Sequence, residues 1–126
     1  MGLVYSIIKL SNPVKPELQP LEVQCLADSG STYLVIPQHI ATQLQLTVLE
    51  SREATNADGN LHTVPYAGPV RINFENRNCF VGALIMGDEV LLGAVPMEDM
   101  DLVVLPKFLK LSVNPDSPNI ARGHVK

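Results

Sequence analysis

Prolines and glycines are spread along this chain and restrict it to short secondary-structure elements. The 126 residues include ten prolines and eight glycines. Proline interrupts helices and central strands, and glycine favours turns. Short elements joined by turns are typical of an all-β chain, so we expect about seven to nine short strands and one short helix.

The clearest predicted strand runs from Leu21 to Ala27 and ends at a polar turn. Apolar residues alternate along it with polar ones, which indicates a strand with one buried face. Asp28 follows directly, and Gly30 ends the strand. An acidic side chain in this position, between a strand and a tight turn, is held out rigidly.

Further along the chain, periodicity and turn residues predict the remaining elements. Helical spacing of apolar residues predicts a helix over residues 37–46, with Pro37 as its first residue. The segment Asn56-Ala57-Asp58-Gly59-Asn60 predicts the turn of a long hairpin, and residues 75–78 predict a second turn. A single domain covers residues 1–126, with a core over about residues 1–113 and an irregular tail over 114–126.

The composition argues against several classes of partner. A net charge of −4 and a pI near 5.2 leave no basic surface for nucleic acid. The apolar start of the chain lacks a basic leader and is too short to span a bilayer, so we expect a cytoplasmic protein with no membrane partner. The three histidines are far apart and lack metal-ligand spacing, so neither a metal nor a cofactor is expected.

The two cysteines, Cys25 and Cys79, each lie in an apolar run. Their number permits one disulfide. Two small buried residues in a reducing compartment are the favoured alternative.

The order of these features resembles the retropepsin-type aspartic proteases, the single-domain family found in retroviruses and their cellular and bacterial relatives. The resemblance covers residues 21–105. Two motifs carry it: Ala27-Asp28-Ser29-Gly30-Ser31 after the predicted strand, and Leu91-Leu92-Gly93 near the end of the region. The segment Asn114-Pro115-Asp116-Ser117-Pro118 is similar to the bacterial branch. The hairpin tip departs from the viral enzymes, because Asp58-Gly59 stands where they have a glycine-rich sequence.

The resemblance implies a closed β-barrel, a flap hairpin and a homodimer that cleaves peptides or proteins. Asp28 would be the catalytic residue of each subunit, because two facing carboxylates are needed to activate one water. Ser29 would bond across the dimer, Gly30 would allow close backbone approach, and the Ser31 hydroxyl would donate to Asp28, from which we expect an acidic pH optimum. Two further sets would support the site: Asn56, Ala57, Asp58, Gly59 and Asn60 as a flap over the substrate, and Leu91, Leu92 and Gly93 behind the catalytic loop.

Two other interpretations of the same residues stay open. Asp28-Ser29-Gly30 can be an ordinary turn, and residues 56–60 can be a plain hairpin turn rather than a flap. A non-catalytic homodimer that binds an extended peptide or a partner protein could keep the same fold, since fold alone does not fix function.

Overall fold

The protein, described here from a computed structural model, is an all-β barrel with two short helices. The structure describes residues 2–126, and Met1, which the predicted domain includes, lies outside the described residues. The strands are β1 (Tyr5–Ser11), β2 (Leu21–Ala27), β3 (Leu34–Ile36), β4 (Thr47–Thr55), β5 (Leu61–Phe74), β6 (Arg77–Ile85), β7 (Val90–Leu92), β8 (Leu102–Leu105) and β9 (Lys110–Val113). The helices are α1 (Gln38–Gln43), α2 (Ala94–Asp99) and a 3-10 turn (Pro106–Phe108). No helix within residues 2–126 is long and apolar enough to cross a membrane.

Six strands close into a barrel. Seven strands follow one another in the order β1-β2-β7-β3-β6-β5-β4, and β1 also pairs with β5, which closes the ring and leaves β4 outside it. The predicted all-β closed barrel with a long hairpin is therefore confirmed. The hairpin consists of β4 and β5, whose antiparallel pairing runs from Thr47 opposite Gly68 to Thr55 opposite Leu61.

The barrel interior holds the main hydrophobic core. Strand β2 alternates as predicted, with Cys25 buried and Glu22 and Gln24 exposed. Burial of such side chains is the main favourable contribution to folding, at about 25 cal/mol per Å² of apolar surface. The largest fully buried side chains come from five strands, from α2 and from the residues that directly follow α1 and α2: Ile8, Leu10, Cys25, Leu34, Ile36, Leu44, Val70, Ile72, Leu92, Pro96 and Met100.

Both cysteines are free and buried in this core. Burial raises the pKa of Cys25 to about 11 and that of Cys79 to about 12, because a thiolate is poorly solvated in an apolar interior. Of the two alternatives that the sequence left open, the structure has the pair of buried thiols.

The helices differ from the prediction in length and number. Helix α1 spans Gln38–Gln43 rather than residues 37–46, because Pro37 precedes it in an extended conformation and Gln45 has a left-handed backbone with φ of 53°. Helix α2 is a second helix, where the sequence predicted only one.

The second predicted turn is shorter than expected, and this changes the environment of Arg77. Glu75 and Asn76 alone make the turn, and Arg77 already pairs with Phe74. The Arg77 side chain is buried, where its Nε donates to the Met100 carbonyl at 3.0 Å and its Nη2 donates to the Ser117 carbonyl. An arginine of the predicted turn is therefore part of the interior.

The tail is irregular, as predicted, and is anchored to the barrel through Asp101. The Asp101 carboxylate accepts hydrogen bonds from the Ser117 hydroxyl, from the Asn114 amide at 3.1 Å and from the Arg122 backbone N–H at 2.9 Å. These bonds, that from Ser117 first, lower the pKa of Asp101 to about 2. The anchored part of the tail thus extends to Arg122.

Candidate active site

Asp28 directly follows strand β2 and lies in a loop that is held on two sides. Strand β7 pairs in parallel with β2 and antiparallel with β3, so it lies between the strands that enter and leave the loop. The Asp28 backbone N–H donates to the Leu92 carbonyl at 2.9 Å. This pairing fixes the position at which the Asp28 side chain leaves the barrel.

Two donors within the loop orient the Asp28 carboxylate. The Gly30 backbone N–H donates to Oδ1 at 3.0 Å, and the Ser31 hydroxyl donates to Oδ2 at 3.1 Å. The second bond is the one expected for Ser31 from the sequence. A Cβ atom on Gly30 would lie 3.2 Å from Oδ1, a tight contact with the Asp28 side chain.

Gly93 lets the backbone after β7 pack directly against the Asp28 loop. A Cβ atom here would lie 2.3 Å from the Tyr33 carbonyl oxygen and 2.7 Å from that of Ser31, closer than real Cβ contacts allow. The loop is also held by hydrogen bonds from the Ala94 N–H to Ser31 at 2.7 Å and from the Val95 N–H to Thr32 at 3.0 Å. Leu92 and Gly93 therefore lie behind the loop.

An open cleft of about 550 Å³ lies beside the Asp28 loop and reaches the β4–β5 hairpin. Asp28, Gly30 and Ser31 line it from the loop, while Asn56 and Ala57 line it from the hairpin. The remaining predicted residues have other positions. Ser29, Asp58, Gly59 and Asn60 are exposed outside the lining, Leu91 lines the cleft, and Leu92 and Gly93 are buried behind it.

The hairpin tip is an ordered turn. The Asn56 N–H donates to the Asn60 carbonyl at 3.0 Å, and the Gly59 N–H donates to the Asn56 carbonyl at 2.9 Å. Gly59 has a φ of 83°, a positive value that glycine adopts without steric cost. The tip is thus shaped by its own hydrogen bonds, with one side open to solvent and the other on the cleft.

Several cleft residues could not be identified from the sequence. The sequence gives only a weak indication of them. Because alternate residues of a strand share a face, Leu84 and Met86 are expected on the same side, but this does not indicate which cavity that side faces. Three of these cleft residues, Glu53, Asp88 and Glu89, carry carboxylates. The full additional set is Thr32, Tyr33, Val35, Glu53, Ala54, Thr55, Leu84, Met86, Gly87, Asp88, Glu89.

The apolar part of the cleft belongs to a second hydrophobic cluster, separate from the barrel core. Val35, Val64 and Leu84 are its buried members, and partly buried Tyr33, Ala54, Tyr66, Met86 and Leu91 pack against them. A carboxylate thus stands beside an apolar floor that could take a nonpolar side chain of a ligand.

Comparisons with known proteins give distant structural likenesses only. No family model and no curated protein matches the chain. The solution structure of the simian foamy virus (mac) protease is similar at 14% identity, covering 73% of this chain and 91% of that one, with a TM-score of 0.45. A protein of unknown function from Legionella pneumophila is similar at 13% identity, covering 92% of this chain and 95% of that one, with a TM-score of 0.42. Likenesses this distant assign no activity, which has to be argued from the residues of the cleft.

Proposed function

We propose that this chain is one half of an aspartic endopeptidase of the retropepsin type, and that two copies together form the active site. The observation that carries the proposal is the setting of Asp28. Its carboxylate lines an open cleft, is oriented by the Gly30 N–H and the Ser31 hydroxyl, and sits on a loop fixed by Leu92 and Gly93.

The chemistry requires a second carboxylate of the same kind. One ionised carboxylate takes a proton from the attacking water, and a protonated partner donates to the carbonyl oxygen of the scissile bond. Two carboxyl groups in contact share one proton, because repulsion between like charges prevents both groups from being ionised at once. Glu53, Asp88 and Glu89 also line the cleft, but none of them belongs to an Asp-Ser-Gly or Asp-Thr-Gly motif, of which the sequence has only the one at Asp28. Asp28 of a second copy is therefore the proposed partner, on a two-fold axis.

An exposed apolar patch near Asp28 suits such a two-fold contact. The Ala27 N–H donates to the Val4 carbonyl at 2.8 Å, which places Leu3 beside the end of β2, and a Cβ atom on Gly2 would touch the Leu109 side chain at 2.9 Å. Leu3, Phe108 and Leu109 are 62%, 68% and 49% exposed. We propose that the second copy covers this patch. A specific interface buries about 800 Å² on each partner, so the patch would be its apolar centre.

The substrate in this proposal is an extended peptide in the cleft under residues 56–60. An apolar side chain next to the scissile bond would contact the floor around Val35, Leu84 and Met86. The backbone of an extended peptide could add hydrogen bonds of the strand type to the hairpin.

The test combines mass in solution with peptide cleavage. Sedimentation across micromolar concentrations should give a species of twice 13.7 kDa. That species should cleave unfolded protein at about pH 4–6, in the acidic range suited to a carboxylate pair. Asp28→Asn should keep the dimer and lose cleavage by at least about 1,000-fold. Asp99→Asn, on the exposed end of α2, is the matched control and should cleave normally.

Three outcomes would contradict the proposal. Cleavage that survives Asp28→Asn would remove Asp28 from the chemistry. A monomer at every concentration, with no cleavage, would mean that the site is never completed. A stable dimer that binds peptides without cleaving them would support the non-catalytic alternative.

A further inference from the structure

Arg52 joins the hairpin to the segment that carries Asp28. It lies on β4, which has a strand partner on one side only, and its guanidinium carbon is 3.7 Å from the centre of the Tyr66 ring and 5.4 Å from that of the Tyr33 ring. Its Nε donates to the Glu50 carboxylate at 2.8 Å. The Arg52 side chain is 32% exposed, so part of this contact is shielded from water.

Each aromatic partner of Arg52 is itself held in place. A Cβ atom on Gly82 would lie 2.1 Å from the Tyr66 ring, so that ring packs on the bare backbone of β6. Tyr33 follows the catalytic loop, its backbone packs on Gly93, and its ring meets the Tyr66 ring edge-on at 6.1 Å. Arg52 therefore closes a stack whose other members belong to the barrel wall and to the Asp28 loop.

The position of the stack gives it a role in the cleft. Tyr33 lines the cleft, as do Glu53 and Ala54, the residues that follow Arg52 toward the hairpin tip. A cation over an aromatic face is attracted by the ring, and a planar guanidinium can stack where an ammonium only approaches as a point charge. Movement of the hairpin away from the Asp28 loop would break the contact of Arg52 with Tyr33. Tyr66 lies on β5, the other arm of the hairpin, where it also pairs with Leu84 of β6 and so ties Arg52 to the barrel wall.

We propose that Arg52 is a positioning residue, which holds the β4–β5 hairpin over the cleft by stacking on Tyr66 and Tyr33. The structural part of this inference stands alone, and the kinetic part rests on the proposed peptidase function. Arg52 contacts no reacting group in this arrangement. It sets how firmly the hairpin covers a peptide bound beside Asp28.

The first measurement is hydrogen exchange of backbone amides in the resting protein. Arg52→Lys keeps the charge and removes the planar group, and we expect amides of residues 53–61 to exchange at least about threefold faster, as for the loss of about 0.7 kcal/mol. Arg71→Lys is the matched control, because Arg71 lies 5.8 Å from the Phe80 ring on the exposed side of β5, away from the cleft. Its hairpin should exchange at the wild-type rate.

The second measurement is the kinetics of peptide cleavage. Arg52→Lys should raise KM about fivefold to tenfold and change kcat by less than about twofold, because the stack affects peptide retention rather than bond cleavage. Tyr66→Leu removes the ring on which Arg52 stacks and should reproduce the rise in KM.

Two results would overturn the inference about Arg52: hairpin exchange in Arg52→Lys that matches wild type, or a fall in kcat with KM unchanged. If the wild-type protein cleaves no peptide, the proposed function fails, but the exchange measurement still decides whether Arg52 holds the hairpin.

Discussion

Gly93 lies at the most crowded backbone contact around the candidate site. The carbonyl groups of Ser31 and Tyr33 approach it so closely that a methyl group would overlap them. Both neighbours are backbone atoms of the loop that carries Asp28, and the loop is fixed by hydrogen bonds from Ala94 and Val95. Relief of such an overlap would require movement of the Asp28 loop itself.

Gly93→Ala should therefore destabilise the protein strongly. We expect a loss of about 3 kcal/mol or more in the free energy of unfolding, since the overlap is with backbone atoms rather than a flexible side chain. Urea denaturation followed by circular dichroism measures this. Gly123→Ala is the control, because a Cβ atom there meets nothing within 4 Å. Equal urea midpoints for the two variants would contradict the packing described for Gly93.

The part of the site nearest to Asp28 could be predicted from the sequence because its contacts are local. Gly30 and Ser31 bond a carboxylate only two and three residues away. Tyr33, Glu53 and Asp88 could not be assigned to one cleft, because their meeting depends on pairings between distant strands. The pair of facing carboxylates in the proposed function needs a second copy of the chain, which a single sequence does not display.

At the scale of elements, the tail and the α2–β8 connection are held together by one carboxylate. Asp101 has a left-handed backbone with φ of 55° and accepts hydrogen bonds from three residues of the tail. The buried Arg77 lies 4.0 Å from it and bonds the carbonyl groups of Met100 and Ser117. The sequence predicted an irregular tail correctly, but composition alone could not indicate this attachment, which links residues far apart in the chain.

The tail attachment should make stability depend on pH in the acidic range. The pKa of Asp101 is about 2 in the folded protein against an ordinary value of 3.8. The contribution of its carboxylate to the free energy of unfolding is therefore complete above pH 3.8 and disappears as pH falls toward 2. Asp101→Asn should lose this dependence. Urea midpoints of both proteins should differ at about pH 6 and converge by about pH 2.

The control for this pH dependence is Asp99→Asn, which removes an exposed carboxylate two residues away. It should follow the wild-type curve. A constant difference between wild type and Asp101→Asn at every pH would mean that the carboxylate contributes nothing through its charge.

At the scale of the whole molecule, the proposed dimer would place the patch of Leu3, Phe108 and Leu109 at its two-fold axis. Phe108→Asp should weaken dimerisation at least about tenfold, since a charge would be buried at the apolar centre of the contact. Sedimentation equilibrium gives this constant directly. Cleavage by the variant should return at protein concentrations high enough to restore the dimer.

Ile120→Asp is the matched control for this substitution. Ile120 is 79% exposed and lies in the tail, so it offers the same change from apolar to acidic away from the proposed axis. A dimer as stable in Phe108→Asp as in Ile120→Asp would mean that the copies meet through another surface.

The burial of the two thiols in the core has a practical consequence. Alkylating reagents and oxidants react with thiolates, and Cys25 and Cys79 combine enclosure with pKa values far above neutrality. Modification therefore requires that the barrel opens first. The rate at which a thiol reagent labels Cys25 and Cys79 in native buffer therefore measures how often the barrel opens, with no engineered probe needed.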